Sequence, residues 1–288
     1  MKMKNFFLFD GRRVSGKQLG LASLERGFLY GDGVFETMRT CNYRIFMWDR
    51  HIERMKKGLA LCNINMVANP EKLHSDIEQL LKEKHVKNAY VRLNVWRKET
   101  GSFDPKGERK SHTLAIIRKY LPCPGDFYSK GISCCVSRKF LKNEMSPVTY
   151  IKSFNYLENI LAREEAKNKG CSETILLNCR GELAESSVAN LFFTKGKTVY
   201  TPSVECGILP GITRALVIEI CKTNGLKVKE GRFKPVSLKG ADEVFLTNTL
   251  MGLIPVRKIE GFFEKKRFAC SSLLSGELEK VFLMHTEF

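Results

Sequence analysis

Tyr150-Ile151-Lys152-Ser153-Phe154-Asn155-Tyr156-Leu157 is the stretch on which the reading of this chain turns. Lys152 sits between Ile151 and Ser153, just ahead of an expected helix start. That is a poor setting for an ordinary solvated charge. A lysine desolvated by its neighbours becomes a nucleophilic amine at neutral pH. Lys152 is therefore expected to hold a cofactor carbonyl as a Schiff base. The competing reading is an exposed lysine at a helix N-terminus. With 48 Lys and Arg residues in the chain, that reading holds unless the surroundings argue otherwise.

The 288 residues are 43% hydrophobic and 10% aromatic, which suits a soluble enzyme of two modest domains. No apolar run is long enough to span a bilayer, so no membrane association is expected. The N-terminal apolar run Phe6 to Phe9 stops at Asp10-Gly11 with no small-residue cleavage site. It reads as a strand and turn rather than a signal peptide, and the expected compartment is the cytoplasm. The 10 cysteines are scattered, with no Cys-x-x-Cys, and read mostly as small buried hydrophobes in a reducing compartment. The histidines show no ligand spacing, so no metal site is expected. A formal charge of +17 would fit nucleic-acid binding, but the positive residues are dispersed, with only short clusters such as Lys265-Lys266-Arg267. A basic surface for small anionic molecules is the preferred account, with no nucleic-acid partner.

Working outward, Asp49 is expected to cap a helix whose stripe is Ile52, Met55, Leu59 and Cys62, with Arg54 off the stripe. Asn69-Pro70 opens a second helix in the favoured cap-then-proline order. Strands are expected at Ala89 to Trp96 and His112 to Arg118, separated by a polar loop from Lys98 to Ser111. Residues 122–126 read as an interdomain linker between a small α/β domain, 1–121, and a larger α/β domain, 127–288, that carries Lys152. After Lys152, Asn155 is expected to begin a helix with Leu157, Ile160, Leu161 and Ala162 apolar and Gly170 as its stop.

A cofactor that forms a Schiff base and carries a phosphate needs a lysine, an acid at its ring nitrogen, a donor to its phenolic oxygen and a phosphate cradle. Gly207 to Arg214 is the cradle candidate, because glycines allow close backbone approach and a helix N-terminus presents unpaired N–H groups to a dianion. In it, Gly211, Ile212 and Thr213 are candidate contacts and Leu209 is placed against the ring. Thr249, at a strand end, is a second phosphate donor, and Arg54 is the candidate cation. Glu185 is the candidate ring acid; alone it would read as a solvated turn carboxylate. Tyr156, four residues after Lys152, could donate to the phenolic oxygen.

With these residues assembled, the chain resembles the class IV aminotransferase family of pyridoxal-phosphate enzymes. The stretches that carry the resemblance are Tyr30 to Arg39, His51-Ile52-Glu53-Arg54, Lys152 to Leu157, Gly181 to Phe192, Ile208 to Arg214 and Asp242 to Val256. The resemblance implies a two-domain α/β (α+β) subunit of fold type IV, a homodimer, and pyridoxal 5'-phosphate at the domain interface. It implies Lys152 as the catalytic amine, Glu185 at the pyridine nitrogen and Tyr156 at the phenolic oxygen. Arg54, Ile212, Thr213 and Thr249 would then hold the phosphate. Thr247-Asn248-Thr249-Leu250-Met251-Gly252-Leu253-Ile254-Pro255-Val256 is similar to the segment of aminodeoxychorismate lyases. Tyr90-Val91-Arg92-Leu93 departs from the Tyr-Ile-Arg-Pro of branched-chain aminotransferases. The arginine-plus-histidine carboxylate trap of D-amino-acid aminotransferases is half present, with Arg97 but no histidine following closely. Tyr30, Phe35, Thr37, Arg39, Arg97 and Asn248 are the pocket candidates for a small anionic amino substrate. The expected activity is the lyase; an aminotransferase for D-amino acids or branched-chain L-amino acids with 2-oxoglutarate is the alternative.

Overall fold

The computed structural model describes residues 5–16, 19, 25–98, 103–104, 110–264 and 269–284. Most of the expected 98–111 loop and the 265–267 basic cluster lie outside them. The chain separates into two compact units, Met1–Leu121 with Ile151–Asn155 and Phe282–Phe288, and Pro122–Tyr150 with Tyr156–Val281. No helix among the described residues is long and apolar enough to cross a membrane.

The first unit contains β1 (Asn5–Phe9), β2 (Arg12–Val14), α1 (Arg26–Tyr30), β3 (Gly33–Cys41), β4 (Arg44–Ile45), α2 (Trp48–Leu61), α3 (Pro70–Glu83), β5 (Ala89–Arg97) and β6 (Ser111–Lys119). Its sheet runs β2-β1-β6-β5-β3-β4. Strand alternation sorts the side chains. Val34, Met38, Val91, Leu93 and Ile117 point into a core with Ile52, Met55 and Leu59 of α2. The residues between them, including Phe35, Thr37 and Arg39, occupy the opposite face. The Asn69 side chain accepts from Lys72 N at 2.7 Å, so α3 begins as its sequence indicates. Helix α2 begins differently: its N-cap is Met47, at φ 54°, and Asp49 lies in the first turn without capping it.

The lysine segment belongs with this first unit rather than with the later part of the chain in which sequence order puts it. Its backbone extends the β3 edge: Phe35 N donates to Lys152 O at 2.8 Å and Phe154 N to Gly33 O at 3.0 Å. Gly33 permits this approach. A Cβ there would lie 2.8 Å from the Phe154 ring and 2.7 Å from Trp96 Cβ.

The second unit contains α4 (Gly125–Lys130), β7 (Ile132–Lys142), α5 (Leu157–Asn168), β8 (Glu173–Asn178), β9 (Leu183–Ser186), β10 (Asn190–Lys195), β11 (Thr198–Pro202), α6 (Ile212–Thr223), β12 (Lys227–Gly231), β13 (Glu243–Asn248), β14 (Gly252–Ile259), β15 (Phe263–Glu264) and α7 (Ala269–Met284, up to Val281 in this unit). The sheet order is β12-β11-β10-β13-β14-β7-β8-β9. A bridge from Asn190 to Glu185 joins β9 back to β10, so β10-β13-β14-β7-β8-β9 closes into a ring. Helix α5 crosses between the parallel strands β7 and β8. It packs through Ala162 and Ala166, while Leu157 and Ile160 are 67% and 59% exposed. Of the four expected apolar residues, Leu157, Ile160 and Leu161 therefore point outward and Ala162 inward, because small side chains let the helix lie close against the strands.

Candidate active site

On β3, Glu36 projects into the core of the first unit and is fully buried. Arg54 grips it from α2 with two hydrogen bonds of 2.7 Å, from Nε to Oε1 and from Nη2 to Oε2. His51, one turn earlier on the same helix, meets Oε2 at 2.7 Å through Nδ1. Burial alone pushes the Glu36 carboxyl up, but Arg54 and His51 outweigh it and bring it down to about 2. Burial holds His51 below the usual imidazole value despite the attraction of Glu36. Neutral His51 thus donates from Nδ1, and its buried Nε2 has no hydrogen-bond partner among the described residues. The outcome is a rigid arginine on a helix otherwise facing the core.

Lys152 and Arg92 share one aromatic ring. Lys152 Nζ lies 4.5 Å, and Arg92 Cζ 3.7 Å, from the centroid of Phe35. Arg92 comes from β5 and donates from Nε to Asn94 Oδ1 at 2.8 Å. It meets no carboxylate among the described residues. In the sequence it stood only as part of a mismatched motif; the β3–β5 register, which pairs Thr37 with Arg92, reveals it.

Other pocket candidates of this unit are deployed differently. Arg97 donates to Asp32 Oδ2 at 2.9 Å and to the carbonyl of Cys62 at 2.7 Å, just past α2. Its guanidinium is thus committed to fixing the end of that helix, and it is not set out as a carboxylate trap. The histidine missing from the sequence neighbourhood does arrive through space: His112 pairs with Trp96 across β5 and β6. It is held between Asp10 and Glu25 and likewise serves the scaffold. Tyr30 is 41% exposed and packs edge-on against Phe103. Arg39 stacks over Tyr120, with Cζ 5.7 Å from the ring centroid.

In the second unit Glu185 is buried at the point where the strand ring closes. Its Oε2 accepts from Leu209 N at 3.0 Å and from Asn190 Nδ2 at 3.2 Å, and Lys142 Nζ lies 2.9 Å from Oε1. Asn190 also donates to Leu209 O at 2.9 Å. These contacts aim the acid and tie it to the loop before α6. Lys142 and Asn190 went unnoticed in the sequence, because a lysine at a strand end and an asparagine at a strand start carry no local mark.

Helix α6 starts at Ile212 with Gly211 as N-cap and no side-chain cap. A Cβ on Gly211 would collide with the Asn190 side-chain oxygen. The buried Thr213 Oγ1 has no hydrogen-bond partner among the described residues. An uncapped helix N-terminus beside an orphaned buried hydroxyl is a place built to receive an anion. The Thr249 hydroxyl has no hydrogen-bond partner among the described residues. Asn248 instead folds a turn: its Oδ1 accepts from Leu250 N and Met251 N at 3.0 and 2.8 Å, and its Nδ2 donates to Val188 O at 3.0 Å. Both ends of its amide are engaged in the scaffold. Tyr156 sits immediately before α5.

The chain is similar to known proteins along most of its length. Residues 33–259 match the family model for class IV amino-transferases. The aminodeoxychorismate lyase of Bacillus subtilis (strain 168) is 34% identical over 258 residues, covering 87% of this chain and 85% of that protein. A D-alanine aminotransferase of Listeria monocytogenes (serotype 4b, strain F2365) is 32% identical over 253 residues, covering 82% and 81%. The Escherichia coli branched-chain amino acid aminotransferase has the same fold, with a TM-score of 0.92 at 23% identity over 98% of this chain and 96% of that one. So has a branched-chain amino acid aminotransferase (T.th.) solved with pyridoxamine 5'-phosphate, at a TM-score of 0.90 and 24% identity over 99% and 96%.

Proposed function

The chain belongs to the class IV aminotransferase family and is a pyridoxal-phosphate-dependent enzyme of fold type IV, and from that premise we propose that it cleaves 4-amino-4-deoxychorismate to 4-aminobenzoate and pyruvate. The observation that carries this reading is Arg92. A guanidinium without an acidic partner among the described residues lies on the same ring as the Lys152 amine, where it can receive a substrate carboxylate. The commitment of Arg97 to Asp32 and the Cys62 carbonyl argues against the carboxylate trap of a D-amino-acid transaminase. The identity to the Bacillus subtilis lyase points the same way.

Bound pyridoxal 5'-phosphate supplies an electron sink that weakens bonds to the amine-bearing carbon of the substrate. Lys152 would hold the cofactor through its carbonyl carbon, and its Nζ, once free, would take the proton from the amine-bearing ring carbon of the substrate. Glu185 has Oε2 filled by Leu209 N and Asn190 and keeps a spare lone pair on Oε1, beside Lys142, for the pyridine N–H. Tyr156 is assigned to the phenolic oxygen and Leu209 to the ring. Arg54, the Ile212 and Thr213 amides, the Thr213 hydroxyl and Thr249 are assigned to the phosphate, with Gly211 clearing the approach. Lys152 Nζ would return that proton to the departing enolpyruvate, which becomes pyruvate, and the ring left behind is aromatic, which drives the reaction forward.

The functional form is proposed to be a cytoplasmic homodimer acting on a small anionic amine. The experiment is to supply aminodeoxychorismate and, separately, D-alanine or L-leucine with 2-oxoglutarate. Formation of 4-aminobenzoate is the expected result. Amino-acid turnover without 4-aminobenzoate would sink the lyase reading and favour a transaminase, as the likeness to the Listeria D-alanine aminotransferase would then suggest.

A further inference from the structure

The face of the first unit's sheet that carries Phe35 also carries a triangle of arginines. Register places Arg39, Tyr90 and Arg118 in one row across β3, β5 and β6, and Arg92 two residues along the middle strand. Arg92 pairs with Thr37 on one side and Ile116 on the other, so it is diagonal to both Arg39 and Arg118. Such diagonal neighbours stand roughly 7–8 Å apart. Each guanidinium rests on an aromatic ring: Arg92 on Phe35 at 3.7 Å, Arg118 on Tyr90 at 4.3 Å and Arg39 on Tyr120 at 5.7 Å. Stacking fixes the plane of each group, and it leaves edge donors of Arg92 and Arg118 for an anion.

Among the described residues neither Arg92 nor Arg118 meets a carboxylate, and the acids that touch this face, Asp10 and Glu25, are held at His112 and Trp96. The positions that β1, β3, β5 and β6 turn toward it hold no aspartate or glutamate; Glu36 points to the other side. Arg118 makes no hydrogen bond or ion pair among the described residues, and it is half-buried rather than freely solvated. Two neighbouring cations without a carboxylate partner are unfavourable, and Arg92 and Arg118 gain their rationale from a ligand that brings negative charge to them.

We propose that Arg118, with Arg39 across Tyr90, forms a second carboxylate subsite, so that the enzyme selects substrates with two carboxylates. The first carboxylate lies at Arg92 beside Lys152, and the second at the Arg39–Tyr90–Arg118 row. This rests on the assignment of Lys152 as the cofactor amine, though not on the lyase activity. A simple amino acid with one carboxylate leaves the row unfilled.

The test uses the holoenzyme and two inert probes, isophthalate and benzoate, with binding followed by the visible absorbance of the bound cofactor. Isophthalate is expected to bind about tenfold or more tighter than benzoate, as one added charged contact implies. Arg118→Gln is expected to remove most of that difference and to raise KM for aminodeoxychorismate more than it lowers kcat. Arg118→Lys, which keeps the charge, recovers part of both. Equal binding of the two probes to the unaltered enzyme, or an Arg118→Gln enzyme that still prefers isophthalate undiminished, overturns the proposal. Loss of the cofactor absorbance on Lys152→Ala checks the underlying assignment separately. Absence of 4-aminobenzoate formation would remove the lyase reading while leaving the probe result to stand.

Discussion

At the scale of single residues, the chemistry depends on groups held still by their neighbours. Lys152→Ala is expected to lower turnover by about 10²–10⁴ and to abolish covalent retention of the cofactor, seen by mass spectrometry after borohydride treatment. Glu36 is more informative than its place in a Gly-x-x-Glu run suggests. Its carboxyl falls from 4.5 to about 2 in the folded protein. A depressed acid stabilises the fold above its unfolded pKa, and that stabilisation fades as pH drops from 4.5 toward 2. His51, held below 6.5, acts in the same direction, because protonation below that pH favours the unfolded chain. Glu36→Gln is therefore expected to cost about 3 kcal/mol at neutral pH and to flatten the acid limb of a stability-versus-pH curve. A denaturation series from pH 7 down to 3 measures both; an unchanged acid limb would remove Glu36 as its cause. Lys152, Glu185, Thr213 and Arg54 could be nominated from residue type and order. Glu36, Arg92, Lys142 and Asn190 could not, because each is defined by a partner far away in the chain.

At the scale of elements, the glycines and caps explain why particular residues start or end where they do. Gly33→Ala would drive a methyl group to 2.7 Å from Trp96 Cβ and 2.8 Å from the Phe154 ring. It is expected to destabilise by about 1–3 kcal/mol and to displace the Lys152 segment, so cofactor content should fall along with the melting temperature. Asn69→Ala is the contrasting case. It removes one cap hydrogen bond from α3, so a loss of about 1 kcal/mol is expected with cofactor content unchanged. The Asn69-Pro70 start and the Asp10-Gly11 turn, with φ of 47° and 75°, were legible because each is a local backbone requirement. The orientation of α5 was not. Of the expected apolar residues Leu157, Ile160, Leu161 and Ala162, the structure buries Ala162, together with Ala166, and leaves the three larger ones exposed. Which face a helix buries depends on what it packs against.

At the scale of the whole molecule, the homodimer is tested by light scattering, where twice the 32.9 kDa chain mass is the expected result. Adding cofactor at about 100 times its dissociation constant should stabilise the fold by about 2.7 kcal/mol, readable as a shift in thermal midpoint. Thr213→Val should weaken that response, because it removes a buried hydroxyl that has no other partner. By itself the sequence determined the family, the cofactor and the order of lysine, acid and anion-binding loop, since those depend on residue type and local backbone chemistry. Tertiary structure decided the company each residue keeps. It grouped the lysine segment with the first unit, committed Arg97 to the end of α2, brought Arg92 onto the ring beside Lys152 and aligned Arg39 with Arg118. Those outcomes follow from strand register and close packing, which join residues distant in the chain and leave no mark in the neighbourhood of either.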